Sequence, residues 1–118
     1  MTVHHVALET TPADADAAVA FFVLLGFEEV APPASLAQRA RWVQRGATQV
    51  HVLYADDPVV PPSGHVAVVV PDYDRTLAAL RAAGHPVEDR NPHWGSPRAF
   101  ATAPGGHRVE LMAYPPGR

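Results

Sequence analysis

The chain has 118 residues, no cysteine and a formal net charge of −3, a length that suits one domain or two small modules sharing a core. Without thiols it has neither a disulfide framework nor a thiolate metal site, and without a Lys/Arg cluster or basic–aromatic interleaving it lacks the electrostatic footprint of a nucleic-acid binder. No apolar run approaches a membrane span, and residues 1–30 carry no basic n-region or cleavage-like h-region, so the expectation is a cytoplasmic protein whose partner is a small molecule, with no membrane or nucleic-acid role.

Val3 to Thr10 carries a strand pattern that Thr11-Pro12 punctuates, with Pro12 suited to the first turn of a helix. A helix is expected over Ala13 to Leu25, with Ala17, Ala18, Phe21, Phe22, Leu24 and Leu25 on an apolar face and Gly26 as its stop. Phe27 to Ala31 reads as a short strand, and Pro32-Pro33-Ala34-Ser35 breaks it. Arg39 to Gln44 and Thr48 to Tyr54 then form a hairpin about Arg45-Gly46. Beyond a proline-rich linker the order repeats: strand His65 to Val70, a helix from Pro71-Asp72 through Leu77 and Leu80 to Gly84, strand Val87 to Asp89, the loop Arg90 to Gly95, and a hairpin of Arg98–Thr102 with His107–Ala113. The segment His5-Val6-Ala7-Leu8 maps on His65-Val66-Ala67-Val68, and Leu25-Gly26-Phe27 on Ala83-Gly84-His85. The expected fold is α+β: tandem βαβββ modules forming a concave mixed sheet with helices on its outer face. Module one covers 1–56, the linker 57–63 and module two 64–118.

Strand alternation gives the histidines a meaning. Where Val6 and Leu8 face the helix, His5 faces away; by the same parity Val50 and Val52 leave His51, Val66 and Val68 leave His65, and Val109 and Leu111 leave Glu110. Four strands each send one ligand-type side chain to the face without helices. If the two units curve together, three imidazoles and a carboxylate converge, which suits a divalent metal ion such as Zn, Fe, Mn, Co or Ni. Glu110, the one carboxylate of the set, is the expected proton acceptor. His4 has the opposite parity and is expected under the helix or at a sheet end. His85 is expected to be structural, His107 to hydrogen bond in its turn, and Glu9 to be solvated. With a turn at Arg45-Gly46, Trp42 falls opposite Gln49 on the face of His51 and offers a wall for an organic substrate. His93, Trp94 and Arg98 add a proton carrier, a stacking surface and an anion-binding guanidinium around one long loop.

These features resemble the vicinal oxygen chelate superfamily, which includes glyoxalase I, methylmalonyl-CoA epimerase, extradiol dioxygenases, fosfomycin-resistance transferases and bleomycin-binding proteins. The resemblance rests on the paired βαβββ modules, the His-x-x-Leu strand at His5, Leu25-Gly26-Phe27, His65 opening the second module, and Gly106-His107-Arg108-Val109-Glu110-Leu111. It implies that the positions of His5, His65 and Glu110 are metal ligands in metal-using members. The position of His51 often holds Glu or Gln in the family, and the usual Asp-Pro-x-Gly-Asn turn is replaced by Ala103-Pro104-Gly105-Gly106-His107. The function implied is a metal-dependent lyase, isomerase or dioxygenase acting on a small oxygen-chelating substrate. If only two of the histidines bind with Glu110, Fe(II) oxygenation gains weight. The alternative is a metal-free, drug-sequestering protein with the cleft lined by Trp42 and Trp94. A homodimer is expected, because the edges of a half-cup of strands need cover.

Overall fold

The computed structural model describes residues 1–117. In chain order the elements are β1 (His5–Thr10), α1 (Pro12–Leu24), β2 (Glu28–Val30), β3 (Ala40–Arg45), β4 (Thr48–Tyr54), β5 (Val66–Val69), α2 (Tyr73–Ala82), β6 (Val87–Arg90), β7 (Arg98–Thr102) and β8 (Arg108–Met112). This is βαβββ twice over, in the α+β class. The strands form two four-stranded mixed sheets, β1-β4-β3-β2 and β5-β8-β7-β6, in which β1 runs parallel to β4 and β5 parallel to β8. Contacts divide the chain into two units, Met1–Val60 and a second from Pro61 onward.

In the first unit the Thr11 side chain caps α1 by accepting from the Asp14 amide at 3.3 Å, and Pro12 opens the first turn, where its missing N–H costs nothing. The helix buries Ala15, Ala18, Val19, Phe21 and Phe22. Val43, Val50 and Val52, each at most 1% exposed, form the core face of the sheet, and α1 packs on that sheet. Phe22 meets Phe21 and Phe27 edge-on, with ring centroids 5.2 and 5.7 Å apart. The chain leaves the helix through Gly26 at φ +96°, a left-handed conformation that a Cβ would strain. Gly84 does the same at φ +88° behind α2, so the repeat extends to the backbone geometry of both helix exits.

Three expectations change here: first, on α1 Ala17 and Leu24 lie exposed, and Ala15 and Val19 take their places in the core. The hairpin turns at Gly46-Ala47, not Arg45-Gly46, because Arg45 pairs with Thr48 in the ladder; Trp42 therefore lies opposite His51 instead of Gln49. One extra strand residue before the turn slides the register by two, which preserves the face. Glu9 is not merely solvated: its carboxylate accepts from the Val59 amide at 2.8 Å and ties the segment after β4 back to β1.

In the second unit α2 buries Leu77 and Leu80, and the sheet contributes Ala99, Ala101, Val109 and Leu111, all 0% exposed. Its start is less favourable than that of α1. Asp72 sits at φ 49°, ψ 53°, and its side chain makes no cap bond. Ser96, fully buried, accepts from the Ala113 and Tyr114 amides and so pins the loop before β7 to the end of β8. Among the described residues no helix is long and apolar enough to cross a membrane.

Candidate functional site

The face of the first sheet that carries no core valines holds a column of rings. His51, 6% exposed, lies parallel to Trp42 with centroids 4.0 Å apart and to His5 with centroids 3.9 Å apart. Strand pairing causes both contacts: His51 is the cross-strand partner of Trp42 on β3 and of Ala7 on β1, two residues along from His5. His4 joins the column. Its Nδ1 lies 3.0 Å from Nδ1 of His5, and its ring stands edge-on to His51. His4 lies at the sheet end, one of its two expected places, just before β1 begins at His5, and its carbonyl accepts from the Gln49 amide at 3.0 Å.

A short amide chain orients His51. Gln49 donates from Nε2 to Oε1 of Gln44 at 2.7 Å, which turns its own Oε1 toward Nε2 of His51, also at 2.7 Å. With the carbonyl as acceptor, His51 carries its proton on Nε2 and keeps a lone pair on Nδ1. Burial holds its pKa below the ordinary histidine value, with the neighbouring His5 and His4 adding to the effect. Trp42 and His51 also line a cavity of about 270 Å³ with Leu36, Ala40, Leu53 and Tyr54.

The corresponding face of the second sheet is ionic. Nε2 of His65 lies 3.0 Å from Oε1 of Glu110, while Nδ1 of His65 lies 2.8 Å from the carbonyl oxygen of Ser63. A carbonyl only accepts, so Nδ1 carries the proton, and a neutral imidazole then turns a lone pair toward a carboxylate oxygen. At that distance a proton shared between Nε2 and Oε1 closes the pair as a hydrogen bond, in the place that a metal ion would otherwise take. The other carboxylate oxygen, Oε2, accepts from Nη1 of Arg98 at 3.1 Å. Arg98 in turn donates from Nε to the Asn91 carbonyl and from Nη2 to Nε2 of His93, each at 2.8 Å. Arg98, expected as an anion-binding guanidinium beside the loop, opens β7 and is the strut that joins Glu110 to His93. Trp94 is tied down as well, its indole N–H donating to the Tyr114 carbonyl at 3.1 Å.

The four donors expected from the sequence thus stand as two pairs, His5 with His51 and His65 with Glu110. Among the described residues no group of three or more His, Asp or Glu side chains stands as a metal-holding cluster. The second pair fits a divalent ion. Two ligand atoms each about 2.1 Å from one metal lie about 3 Å apart when adjacent in an octahedron, and the Ser63 carbonyl supplies the second-shell acceptor that metal-binding imidazoles use. Sequence reasoning missed Gln44, Gln49, Phe100 and Arg108 on these faces. The parity that selected Glu110 also selects Arg108 two residues before it, and cross-strand pairing puts Phe100 opposite Glu110.

Residues 2–111 match the model of the Glyoxalase/Bleomycin resistance protein/Dioxygenase superfamily. Among curated proteins none matches the sequence. Among solved structures, a glyoxalase family protein from Bacillus anthracis is 24% identical, with 95% of this chain and 93% of that one covered at a TM-score of 0.85. A lactoylglutathione lyase from Agrobacterium tumefaciens is 22% identical, covering 94% and 92% of the two chains at a TM-score of 0.70. The fosfomycin resistance protein FosX from Listeria monocytogenes is 16% identical, covering 97% and 91% at a TM-score of 0.77. A mutant of that FosX has been solved with Mn(II) and a dihydroxypropylphosphonic acid. At these identities the likeness is one of fold.

Proposed function

Since the chain belongs to the Glyoxalase/Bleomycin resistance protein/Dioxygenase superfamily, we propose that it is a divalent-metal-dependent enzyme of the lyase, isomerase or dioxygenase type, acting on a small substrate that chelates through two oxygens. The observation that carries this is the pair of acceptors, Nε2 of His65 and Oε1 of Glu110, facing each other at 3.0 Å with Nδ1 of His65 already engaged. His5 and His51 are the donors of the first module in the same reading. A bound ion would supply open positions for the substrate's oxygens and stabilise an oxyanion developing there. The chain's own residues do the rest. Arg98 holds Glu110 by Oε2, leaving Oε1 as the oxygen that ligates or accepts a proton. The Gln44–Gln49 chain fixes the ring of His51. Trp42 presents an aromatic wall to the cavity beside His51, and His93 and Trp94 border the same reading's substrate.

Elemental analysis of untagged protein tests it. The expected result is about one divalent ion per site, lower melting temperature on chelation, loss of metal in His65→Ala, and partial metal retention with loss of turnover in Glu110→Gln. Metal below a tenth of an equivalent, with no thermal shift from Zn, Mn, Fe(II), Co or Ni, would reverse the reading in favour of a metal-free binding protein. The proposal includes a homodimer; a monomer mass by light scattering at micromolar concentration would exclude it.

A further inference from the structure

On the ionic face of the second sheet the side chains fall in rows: Glu88 and Arg90 on β6, Arg98, Phe100 and Thr102 on β7, Arg108 and Glu110 on β8. Three guanidinium groups surround one aromatic ring. Arg108 lies over Phe100 with its guanidinium carbon 4.1 Å from the ring centroid, Arg90 at 5.4 Å and Arg98 at 5.9 Å. His65 meets the same ring edge-on, centroids 4.8 Å apart.

The three cations differ in what their donors already hold. Arg98 is bonded to Glu110, Asn91 and His93, and Arg90 is paired with Glu88. Among the described residues Arg108 has no hydrogen-bond or ion-pair partner; the Phe100 ring is what holds it, and it is half-buried. A guanidinium held over an aromatic face by its charge leaves its N–H donors unspent and available to an anion. Arg108 lines a pocket of about 370 Å³ together with Pro86, Val87, Glu88, Phe100 and Thr102. Glu88 is the acid in that lining, and Arg90 offsets its charge.

We propose that Arg108, seated on Phe100, is a subsite for an oxyanion, a carboxylate, phosphonate or phosphate, carried by the substrate of the His65–Glu110 site. This deepens the proposed function and rests on it for the identification of the anion's bearer as the substrate. The strand sets the scale: Arg108 and Glu110 are two residues apart on one face, about 7 Å along β8. A molecule that bridges the two positions is short. The substrate class is therefore a short oxygenated acid.

The test is calorimetric titration of the intact protein with benzoate, with its neutral isostere benzamide and with phenylphosphonate, in low-salt buffer free of phosphate and with or without added Mn²⁺. Wild type should bind both anions at least about tenfold more tightly than benzamide, the scale of a charge-assisted hydrogen bond. Arg108→Gln should abolish that preference, and Arg108→Lys, which keeps the charge but loses the planar fork, should keep part of it. Equal binding of benzamide and benzoate by wild type, or an undiminished preference in Arg108→Gln, would overturn the subsite. Metal content is read on the same samples. Anion preference lost in Arg108→Gln from a protein that takes up no metal upholds the subsite and removes the metal reading; metal retained with the preference indifferent to Arg108 does the reverse.

Discussion

The two modules share one backbone plan and have opposite chemistries. In the first, the site face is a column of rings and amides, Trp42, His51, His5, Gln49 and Gln44; in the second, the slots of Trp42, His51, His5 and Gln49 carry Phe100, Glu110, His65 and Arg108, and Arg98 is joined to Glu110 by charge. The cores differ in the same sense. Helix α1 packs five buried residues and is capped, while α2 buries two and starts from a left-handed Asp72 with no side-chain cap. Beside α2 a cavity of about 700 Å³ opens among Tyr73, Leu77, Arg81, Asp89 and Arg98. The contrast teaches that a repeated βαβββ unit conserves which face a residue occupies, leaving the chemistry of that face and the tightness of the core beneath it free to diverge.

The sharpest test of this contrast lies in the cores. Phe22→Ala removes a ring that is 1% exposed and enclosed by Phe21 and Phe27, and should cost about 3–5 kcal/mol. Leu77→Ala, at a side chain that borders the open cavity, should fall near the lower limit for its class, about 2 kcal/mol. Urea midpoints at unchanged m-value measure both; a Leu77→Ala loss equal to that of Phe22→Ala would erase the distinction between a tight and a loose core.

Next come the helix starts, where the two modules should respond with opposite signs. Thr11→Ala deletes a working cap and should destabilise by about 1 kcal/mol. Asp72→Gly removes a Cβ from a left-handed residue whose side chain caps nothing, so it should stabilise, by about 0.5 kcal/mol after the entropy of the added glycine. Destabilisation by Asp72→Gly would mean that Asp72 has a role beyond the start of α2.

The smallest expected difference concerns surface ion pairs. In module one Arg41 grips Glu29 through two bonds, Nε to Oε2 at 2.8 Å and Nη2 to Oε1 at 2.9 Å, and this hydrogen bonding holds the Glu29 pKa below its ordinary 4.5. A carboxylate with a depressed folded pKa lends stability above its unfolded value and loses it as pH falls through the folded value. Glu29→Gln should therefore cost under about 1 kcal/mol at pH 7, with the gap to wild type closing once pH drops below 4.5. The module-two counterpart, a single exposed Arg81–Asp89 contact at 3.5 Å, should give no measurable change in Asp89→Asn. Thermal melts across pH read both.

Much of the site was legible in the chain. The far-face positions of His51 and Glu110 followed from flanking valines and leucine that are buried in the structure, at 0–1% exposure. His4 stands at the sheet end that its parity allowed, and the opening of β7 at Arg98 was legible too, whereas the bonds of Arg98 to Glu110, Asn91 and His93 were not. Arg108 shares the face of Glu110 by the same alternation, but its seat on Phe100 depends on a neighbouring strand.

What the sequence by itself determined is face and order. Alternation is a property of the extended backbone, so His5, His51, His65 and Glu110 could be assigned to the side opposite the core without knowing any partner, and Gly26 and Gly84 announced the two helix exits because only glycine enters that conformation freely. What tertiary structure alone decided is register and reach. Trp42 meets His51 because the turn closes one residue later than its glycine suggested. Arg98 takes Glu110 and leaves Arg108 to Phe100 because long side chains choose among neighbours two strands wide. The Ser63 carbonyl selects which nitrogen of His65 faces Glu110. Such choices depend on distances of a few tenths of an ångström between segments far apart in the chain, and residue spacing along one strand carries no term for them.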